Sequence, residues 1–153
     1  MQPLSGPVTT LRADRSHVDQ VAPLFDLYRQ FYKQAPDAEG AQRFIAERLE
    51  RGESVIFLAM AGGRAVGFTQ LYPSFSSISM KRLWILNDLY VAAEARKLGA
   101  GQALLERARD WGIETKAKEL ELATATDNYP AQRLYERTGW KKDLEFFHYA
   151  LPL

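Results

Sequence analysis

The sequence predicts an α/β (α+β) fold in a single domain covering residues 1–153. Its 153 residues, 46% of them hydrophobic, suit one domain that buries roughly two thirds of the surface of the unfolded chain. Residues 83–91 are an almost unbroken apolar run of strand length, as in a central strand covered on both faces. The segment after this strand is predicted to be a helix, because its apolar residues recur at spacings of three and four. They are Leu104, Leu105, Ala108 and Trp111.

The elements are predicted in the order β-α-α-β-β-β-α-β-α-β. Gly62 and Gly63 lie between two strand-like segments and predict a hairpin turn. A capping residue, a proline in the first turn and a glycine beyond the end predict one short helix within residues 127–140. The other helices are expected at 16–34, at 39–51 and after the loop at 96–101. Strands are expected at 8–11, 54–61, 65–72, 83–91, 119–125 and 145–151.

A glycine loop connects the strand at 83–91 to the following helix. It consists of Arg96, Lys97, Leu98, Gly99, Ala100 and Gly101. Glycines allow the backbone to turn tightly and to approach a ligand closely, and the first N–H groups of the helix attract anions. These features predict a pyrophosphate-binding loop, although an ordinary strand-to-helix turn explains the glycines equally well.

Two other phosphate-binding motifs do not match this loop. A dinucleotide fingerprint requires Gly or Ala at position 104, where Leu104 stands. A P-loop requires Lys and then Ser or Thr directly after its second glycine, and neither is present.

Charge and composition argue against several other function classes. The net charge of +1 comes from mixed charges without a basic block, which argues against nucleic acid as a partner. The chain has no cysteine, and His17 and His148 lie far apart, so we expect no metal site. The first residues include Pro3, Gly6 and Pro7, and no apolar run approaches membrane-spanning length. We therefore expect a soluble, cytoplasmic protein with no membrane partner.

Two motifs together resemble the GCN5-related N-acetyltransferase (GNAT) superfamily, from about residue 55 to the C-terminus. The cofactor loop of this superfamily follows R/Q-x-x-G-x-G/A, and a later helix follows N-x-x-A-x-x-x-Y-x-x-x-G-F/W. The first pattern is matched by Arg96, Gly99 and Gly101. The second is matched by Asn128, Ala131, Tyr135, Gly139 and Trp140. The resemblance implies a mixed, mostly antiparallel twisted sheet of six to seven strands, flanked by about four helices.

The resemblance also implies a reaction. An acetyl group would pass from acetyl-CoA to a primary amine by direct attack in a ternary complex, without a metal. Tyr135 would donate a proton to the departing thiolate, and Asn128 would orient the pantetheine arm, cap its helix, or do both. The backbone at Leu89 and Val91 would bind the pantetheine amides.

For the candidate general base of the reaction, the sequence leaves two roles open. The polyamine acetyltransferase branch, which this strand resembles, carries Glu-Asp where this chain has Asn87-Asp88. Asn87 cannot act as a base and is assigned to acceptor binding. Asp88 is the remaining carboxylate in an apolar run, where an unpartnered charge is costly. It is expected either to bind or deprotonate the acceptor, or to be a capped structural carboxylate at a strand irregularity.

The acceptor is expected to be a small, cationic amine. Tyr28 and Tyr32 in the first long helix and Tyr72 in the third strand are predicted to line its site, although such aromatic stripes are more often core. A protein lysine or N-terminal acetyltransferase is the enzyme alternative, and a non-catalytic CoA-binding module is the other. The missing Glu at position 87 favours the module, whereas Tyr135 argues against it. A homodimer is expected by analogy, with residues 146–149 as one candidate interface.

Overall fold

The computed structural model of the protein describes residues 6–153, so that Pro3 lies outside the described residues. The observed order of elements confirms the predicted order up to the last helix. The strands are β1 Thr9–Arg12, β2 Val55–Ala61, β3 Arg64–Ser76, β4 Lys81–Val91 and β5 Glu119–Glu121. The helices are α1 Val18–Phe31, α2 Ala38–Glu50, α3 Ala100–Glu114 and α4 Tyr129–Arg137.

The strands form one mixed, mostly antiparallel sheet in the order β1-β2-β3-β4-β5. The first four strands pair antiparallel with their neighbours, and β5 runs parallel to β4.

The α/β fold class is confirmed, but the predicted count of six to seven strands is wrong for the described residues, which contain five. The expected strand at 145–151 has no regular structure, and β5 ends at Glu121, short of the predicted residue 125. Strand propensity alone does not form a ladder, because a strand also needs a hydrogen-bonding partner.

Helices cover both faces of the sheet. In β2, Ile56 and Leu58 belong to the core that α1 and α2 complete. The ring of Phe57 faces the other way and lies 6.1 Å from that of Trp111 on α3. This alternation follows from the two-residue period of a strand, and it makes β2 apolar on both sides. The helix after the glycine loop is confirmed, with Leu104 fully buried.

The chain forms two compact units, divided between Ala123 and Thr124. The first contains the sheet and α1 to α3. The second contains α4, which begins with Asn128 as its N-cap and is followed by Gly139 at φ +100°. Within residues 6–153, no helix is long and apolar enough to cross a membrane.

Candidate active site

A β-bulge lies in the middle of β4. Gln70 of β3 pairs with Asp88, and the next residue, Leu71, pairs with Leu86. Asn87 is therefore an extra residue without a partner in β3. Bulges of this kind bend a strand and re-aim its side chains, and they are common beside active sites.

The bulge places the carboxylate of Asp88 inside the protein. Asp88 is only 2% exposed. Gln70 donates from Nε2 to Asp88 Oδ2 at 2.6 Å, and Asn87 donates from Nδ2 to Oδ1 at 2.7 Å. Ser54 donates from Oγ to Gln70 Oε1 at 2.8 Å and so fixes the orientation of that amide. Burial raises the pKa of Asp88, and the two amide donors offset part of this rise.

Two hydroxyl groups hold the backbone of the bulge. Thr69 donates from Oγ1 to the carbonyl oxygen of Asp88 at 2.8 Å. Tyr28 donates from Oη to the carbonyl oxygen of Asn87 at 3.1 Å. The ring of Tyr28 packs edge-on against Phe68 at 6.0 Å and Tyr32 at 5.1 Å. The bulge is therefore braced by side chains from α1 and β3, which favours a single geometry.

Tyr72 is a neutral phenol beside this cluster. Burial raises its pKa to about 12, and the negative charge of Asp88 adds to the rise. Its hydroxyl group is therefore a proton donor throughout the neutral range.

We expect the stability difference between the wild type and Tyr72→Phe to change with pH only in the alkaline range. In the unfolded chain Tyr72 loses its proton near pH 10, whereas in the folded protein it does so near 12. The folded state binds more protons in this window, so the contribution of Tyr72 to the free energy of unfolding is lost as pH rises through it. Urea unfolding of both proteins at about pH 8 and about pH 11 measures this. A stability difference that is the same at both values contradicts the shift.

One side of β4 is open beyond the bulge. The strand β5 pairs only with Leu83–Ile85 of β4, and its own pairing ends at Glu121. Residues 86–91 of β4 therefore have no strand partner on that side, among the residues described. Leu89 and Val91 lie on this stretch and are partly exposed. Open backbone groups of this kind can bind an extended ligand as an added strand does.

The open stretch leads into the glycine loop. Within it, Lys97 has φ +73° and Gly99 has φ +83°, both left-handed. Gly99 is also the N-cap of α3, and no side chain caps the first turn of that helix. Left-handed turns next to an uncapped helix start produce a concave set of N–H groups that binds anions. Arg96 donates from Nε to the Val91 carbonyl at 3.4 Å, which ties the loop to the end of β4.

The second unit contains the other motif. Asn128 accepts a hydrogen bond at Oδ1 from the backbone of Ala131 at 3.3 Å, which makes it the N-cap of α4. Tyr135 is half-buried on this helix. The centre of its ring lies 6.1 Å from that of Trp140, at an interplanar angle of 55°. The predicted caps of this helix are confirmed.

The structure brings several of the predicted site residues together in the first unit: Tyr28, Tyr72, Asn87 and Asp88. Tyr32 packs on Tyr28 but is 47% exposed. Ser54, Thr69 and Gln70 were not predicted, although all three are buried polar residues. The available signal was the adjacent Thr-Gln pair inside an otherwise apolar strand, since buried polar groups need partners.

The residues described offer no group of three or more His, Cys, Asp or Glu side chains placed to hold a metal ion.

Comparison with known proteins assigns the family. The model of the acetyltransferase (GNAT) family matches residues 21–140. An uncharacterized N-acetyltransferase of Bacillus subtilis (strain 168), YhfO, is 50% identical over 140 residues, covering 92% of this chain and 94% of its own. A crystal structure of a probable acetyltransferase superposes with a TM-score of 0.91 at 46% identity, covering 95% of this chain and 97% of the other.

A more distant structure shares the fold only. It is an aminoglycoside N-acetyltransferase in complex with CoA, with a TM-score of 0.80 at 18% identity over the full length of both chains. The chain belongs to the acetyltransferase (GNAT) family. The protein is accordingly an acyltransferase with the GNAT fold.

Proposed function

We propose that the protein transfers an acetyl group from acetyl-CoA to a primary amine of a small, cationic acceptor. The observation that carries this proposal is the open edge of β4, which runs from the bulge at Asn87 into the glycine loop. An extended, amide-containing arm that ends in a pyrophosphate suits a strand edge followed by an anion-binding loop. The family assignment and the CoA complex of the distant structural relative support the same donor.

The residues along β4 and the glycine loop fit acetyl-CoA. A Cβ atom added at Gly99 would meet nothing within 4 Å, so there is open space beside the left-handed turn. Leu89 and Val91 would offer backbone groups to the arm, and Arg96, Lys97 and the N–H groups at Gly99 to Gly101 would hold the pyrophosphate. Acetyl-CoA supplies an activated acetyl group as a thioester.

The proposed reaction also requires two proton transfers, one from the amine and one to the departing thiolate. A primary amine with a lysine-like pKa is almost wholly protonated at neutral pH, and removing its proton costs about 4 kcal/mol. We assign Asp88 to this step, either by binding the ammonium group or by accepting its proton through water. The alternative is a purely structural role, because the hydrogen bonds from the Gln70 and Asn87 amides would also let the Asp88 carboxylate stabilise the bulge. Tyr135 is assigned as the proton donor on the thiolate side.

The acceptor site is assigned to aromatic side chains of α1 near the bulge, the half-buried Tyr28 and the exposed Tyr32. Tyr28 contacts the bulge directly, and Tyr32 continues the same surface of α1. Aromatic faces bind ammonium groups, which favours a cationic amine. A protein lysine or N-terminal amine presents similar chemistry, so it remains the second candidate.

Release of free CoA tests the function. The protein is incubated with acetyl-CoA and a thiol reagent, in turn with polyamines, aminoglycosides, amino acids, a lysine peptide and a peptide with a free N-terminus. Since the chain has no cysteine, it adds no thiol signal. Release that depends on a small amine supports the proposal. CoA release only with the peptides favours a protein lysine or N-terminal acetyltransferase. No CoA release with any acceptor, while acetyl-CoA still binds, favours a non-catalytic CoA-binding module.

We expect Gly99→Ala to weaken acetyl-CoA binding about tenfold or more. Alanine disfavours the left-handed backbone by about 1–2 kcal/mol, so the loop relaxes and its N–H groups turn away from the anion. Gly52→Ala is the matched control, since Gly52 also has φ +63° and open space but lies after α2. Both variants should lose similar stability, and only Gly99→Ala should raise the Kd measured by calorimetry. Equal affinities in the two variants would exclude the loop from binding.

A further inference from the structure

Three buried polar side chains are connected by hydrogen bonds and end at the bulge in β4. Gln70 is fully buried, Asp88 is 2% exposed, and Ser54, just before β2, is 7% exposed. Ser54 donates to Gln70, and Gln70 donates to Asp88 Oδ2 at 2.6 Å, a short hydrogen bond to a charged group. Apolar side chains of the same shape could fill these positions at little cost in stability. The polar chain therefore points to a role beyond packing.

The ionised carboxylate of Asp88 sets the orientation of the Gln70 amide. A carboxylate only accepts hydrogen bonds, so the amide must turn its NH₂ group towards Asp88 and its oxygen away. That oxygen is buried and needs a donor, and Ser54 supplies one from Oγ at 2.8 Å. Hydrogen bonds in such a chain polarise and strengthen one another. Loss of the Ser54 hydroxyl group would therefore weaken the hold of Gln70 on Asp88.

The amide donors leave part of the Asp88 carboxylate available. Each carboxylate oxygen has two lone-pair sites. Gln70 occupies one site on Oδ2, and Asn87 occupies one on Oδ1. The remaining sites can accept hydrogen bonds from an ammonium group or take up its proton. Because Gln70 belongs to the neighbouring strand β3, its hydrogen bond also fixes the plane of the carboxylate relative to the sheet.

We propose that Gln70 is a positioning residue for Asp88 and that Ser54 acts through Gln70. Gln70 keeps the carboxylate ionised and in one orientation towards the amine, and Ser54 holds the amide that does so. This inference rests on the role proposed above for Asp88 in acetyl transfer.

The neighbouring groups enter the expected pH dependence. Burial raises the pKa of Asp88, and its two amide donors oppose the rise. On β3, burial and the charge of Asp88 raise the pKa of Tyr72 to about 12, whereas Arg48 of α2 and the side chain of Gln70 oppose that rise. On α1, Tyr28 donates to the carbonyl oxygen just before Asp88. Removing the Gln70 donor should raise the pKa of Asp88 further, because the ionised form loses a partner.

The pH dependence of kcat/KM for the amine tests this role. Gln70→Met nearly keeps the side-chain size but removes the donor, and the acid limb should move to higher pH by about one unit or more. Ser54→Ala should move it in the same direction by less. The double variant should match Gln70→Met, because Ser54 acts only through Gln70. An acid limb that stays in place in Gln70→Met, or that moves further in the double variant, overturns the proposal.

Thr115→Val is the control for the loss of a paired hydroxyl group away from the bulge. Thr115 lies at the end of α3 and accepts a hydrogen bond from Trp84 Nε1 at 2.8 Å. This variant should lose stability but keep the acid limb of the wild type, and an equal movement of its limb overturns the proposal. Circular dichroism checks the folding of each variant. If Gln70→Met does not fold, Ser54→Ala carries the test, and its limb must still move.

Carbon-13 NMR of the Asp88 carboxyl group separates this inference from the proposed function. The titration midpoint is measured on the full chain without acetyl-CoA, and the spectrum of Asp88→Asn assigns the signal. A midpoint that rises in Gln70→Met supports the hold of Gln70 on Asp88, whether or not any amine is acetylated. A midpoint that does not move overturns it, even in a protein that transfers acetyl groups.

Discussion

The Tyr135→Phe substitution is expected to lower kcat with the best amine acceptor by about 100-fold. General acid catalysis typically contributes at least this factor, and the substitution removes only the phenolic hydroxyl group. The ring remains and keeps its contact with Trp140, so the helix α4 should fold normally. The KM for acetyl-CoA should not change, because the proposed role belongs to the transition state. Steady-state CoA release at varied acetyl-CoA measures both quantities.

Tyr129→Phe is the matched control for this experiment. Tyr129 lies on the same helix and is 61% exposed, and it has no assigned role. It should keep the wild-type kcat. If Tyr135→Phe also turns over at the wild-type rate, Tyr135 is not the proton donor, and another group or water protonates the thiolate.

The Asp88→Asn substitution is expected to lower kcat/KM for the amine about tenfold or more. Asp88 offers two oxygen atoms to two amide donors, whereas asparagine offers one. One donor then faces an NH₂ group, at a cost of about 1–3 kcal/mol. The substitution also removes the carboxylate that we propose binds the ammonium group or accepts its proton. CoA release at varied amine concentration measures this effect.

The pH dependence separates the catalytic role of Asp88 from a bracing role. Burial raises the pKa of Asp88, so a catalytic carboxylate gives an acid limb in kcat/KM at higher pH than an ordinary aspartate. Asp88→Asn should abolish that limb. A variant that keeps the wild-type profile, even with reduced stability, identifies Asp88 as a structural carboxylate.

The free energy of unfolding should also depend on the protonation of Asp88, and the direction of the raised pKa fixes the sign of this dependence. Between the ordinary and the raised pKa, the unfolded chain loses the Asp88 proton before the folded protein does. The contribution of Asp88 to the free energy of unfolding therefore falls as pH rises through this window. The stability difference between the wild type and Asp88→Asn should shrink accordingly. Asp26→Asn is the control for a buried, hydrogen-bonded carboxylate on α1, and it should leave the pH profile of activity unchanged.

Predictions from local sequence signals agree well with the structure. The glycine loop was predicted from residue types that act within a few positions, and Gly99 does adopt a left-handed backbone. The limits of α4 were predicted from Asn128 and Gly139, and both have the expected geometry. Such signals depend on hydrogen bonds and dihedral angles of neighbouring residues, which the chain specifies wherever it folds.

Predictions that required pairing were less complete. The expected strand at 145–151 has the composition of a strand but lacks a partner in the described chain. The carboxylate of Asp88 was recognised as a buried charge, but not the partners that hold it. Ser54 and Gln70 are separated by 16 residues and Gln70 and Asp88 by 18, so only the register of β3 on β4 brings them together.

The sequence by itself determined the family, the order of elements up to α4, the position of the glycine loop and the capped helix of Tyr135. Only the tertiary structure decided that Asn87 is an extra residue in β4, that Asp88 lies buried between two amides, and that β4 is open towards the loop. The reason is that side-chain type and local spacing set helices, turns and strand propensity. Strand register and the point where strand pairing ends depend on contacts between distant segments of the chain. A single bulge shifts the register by one residue.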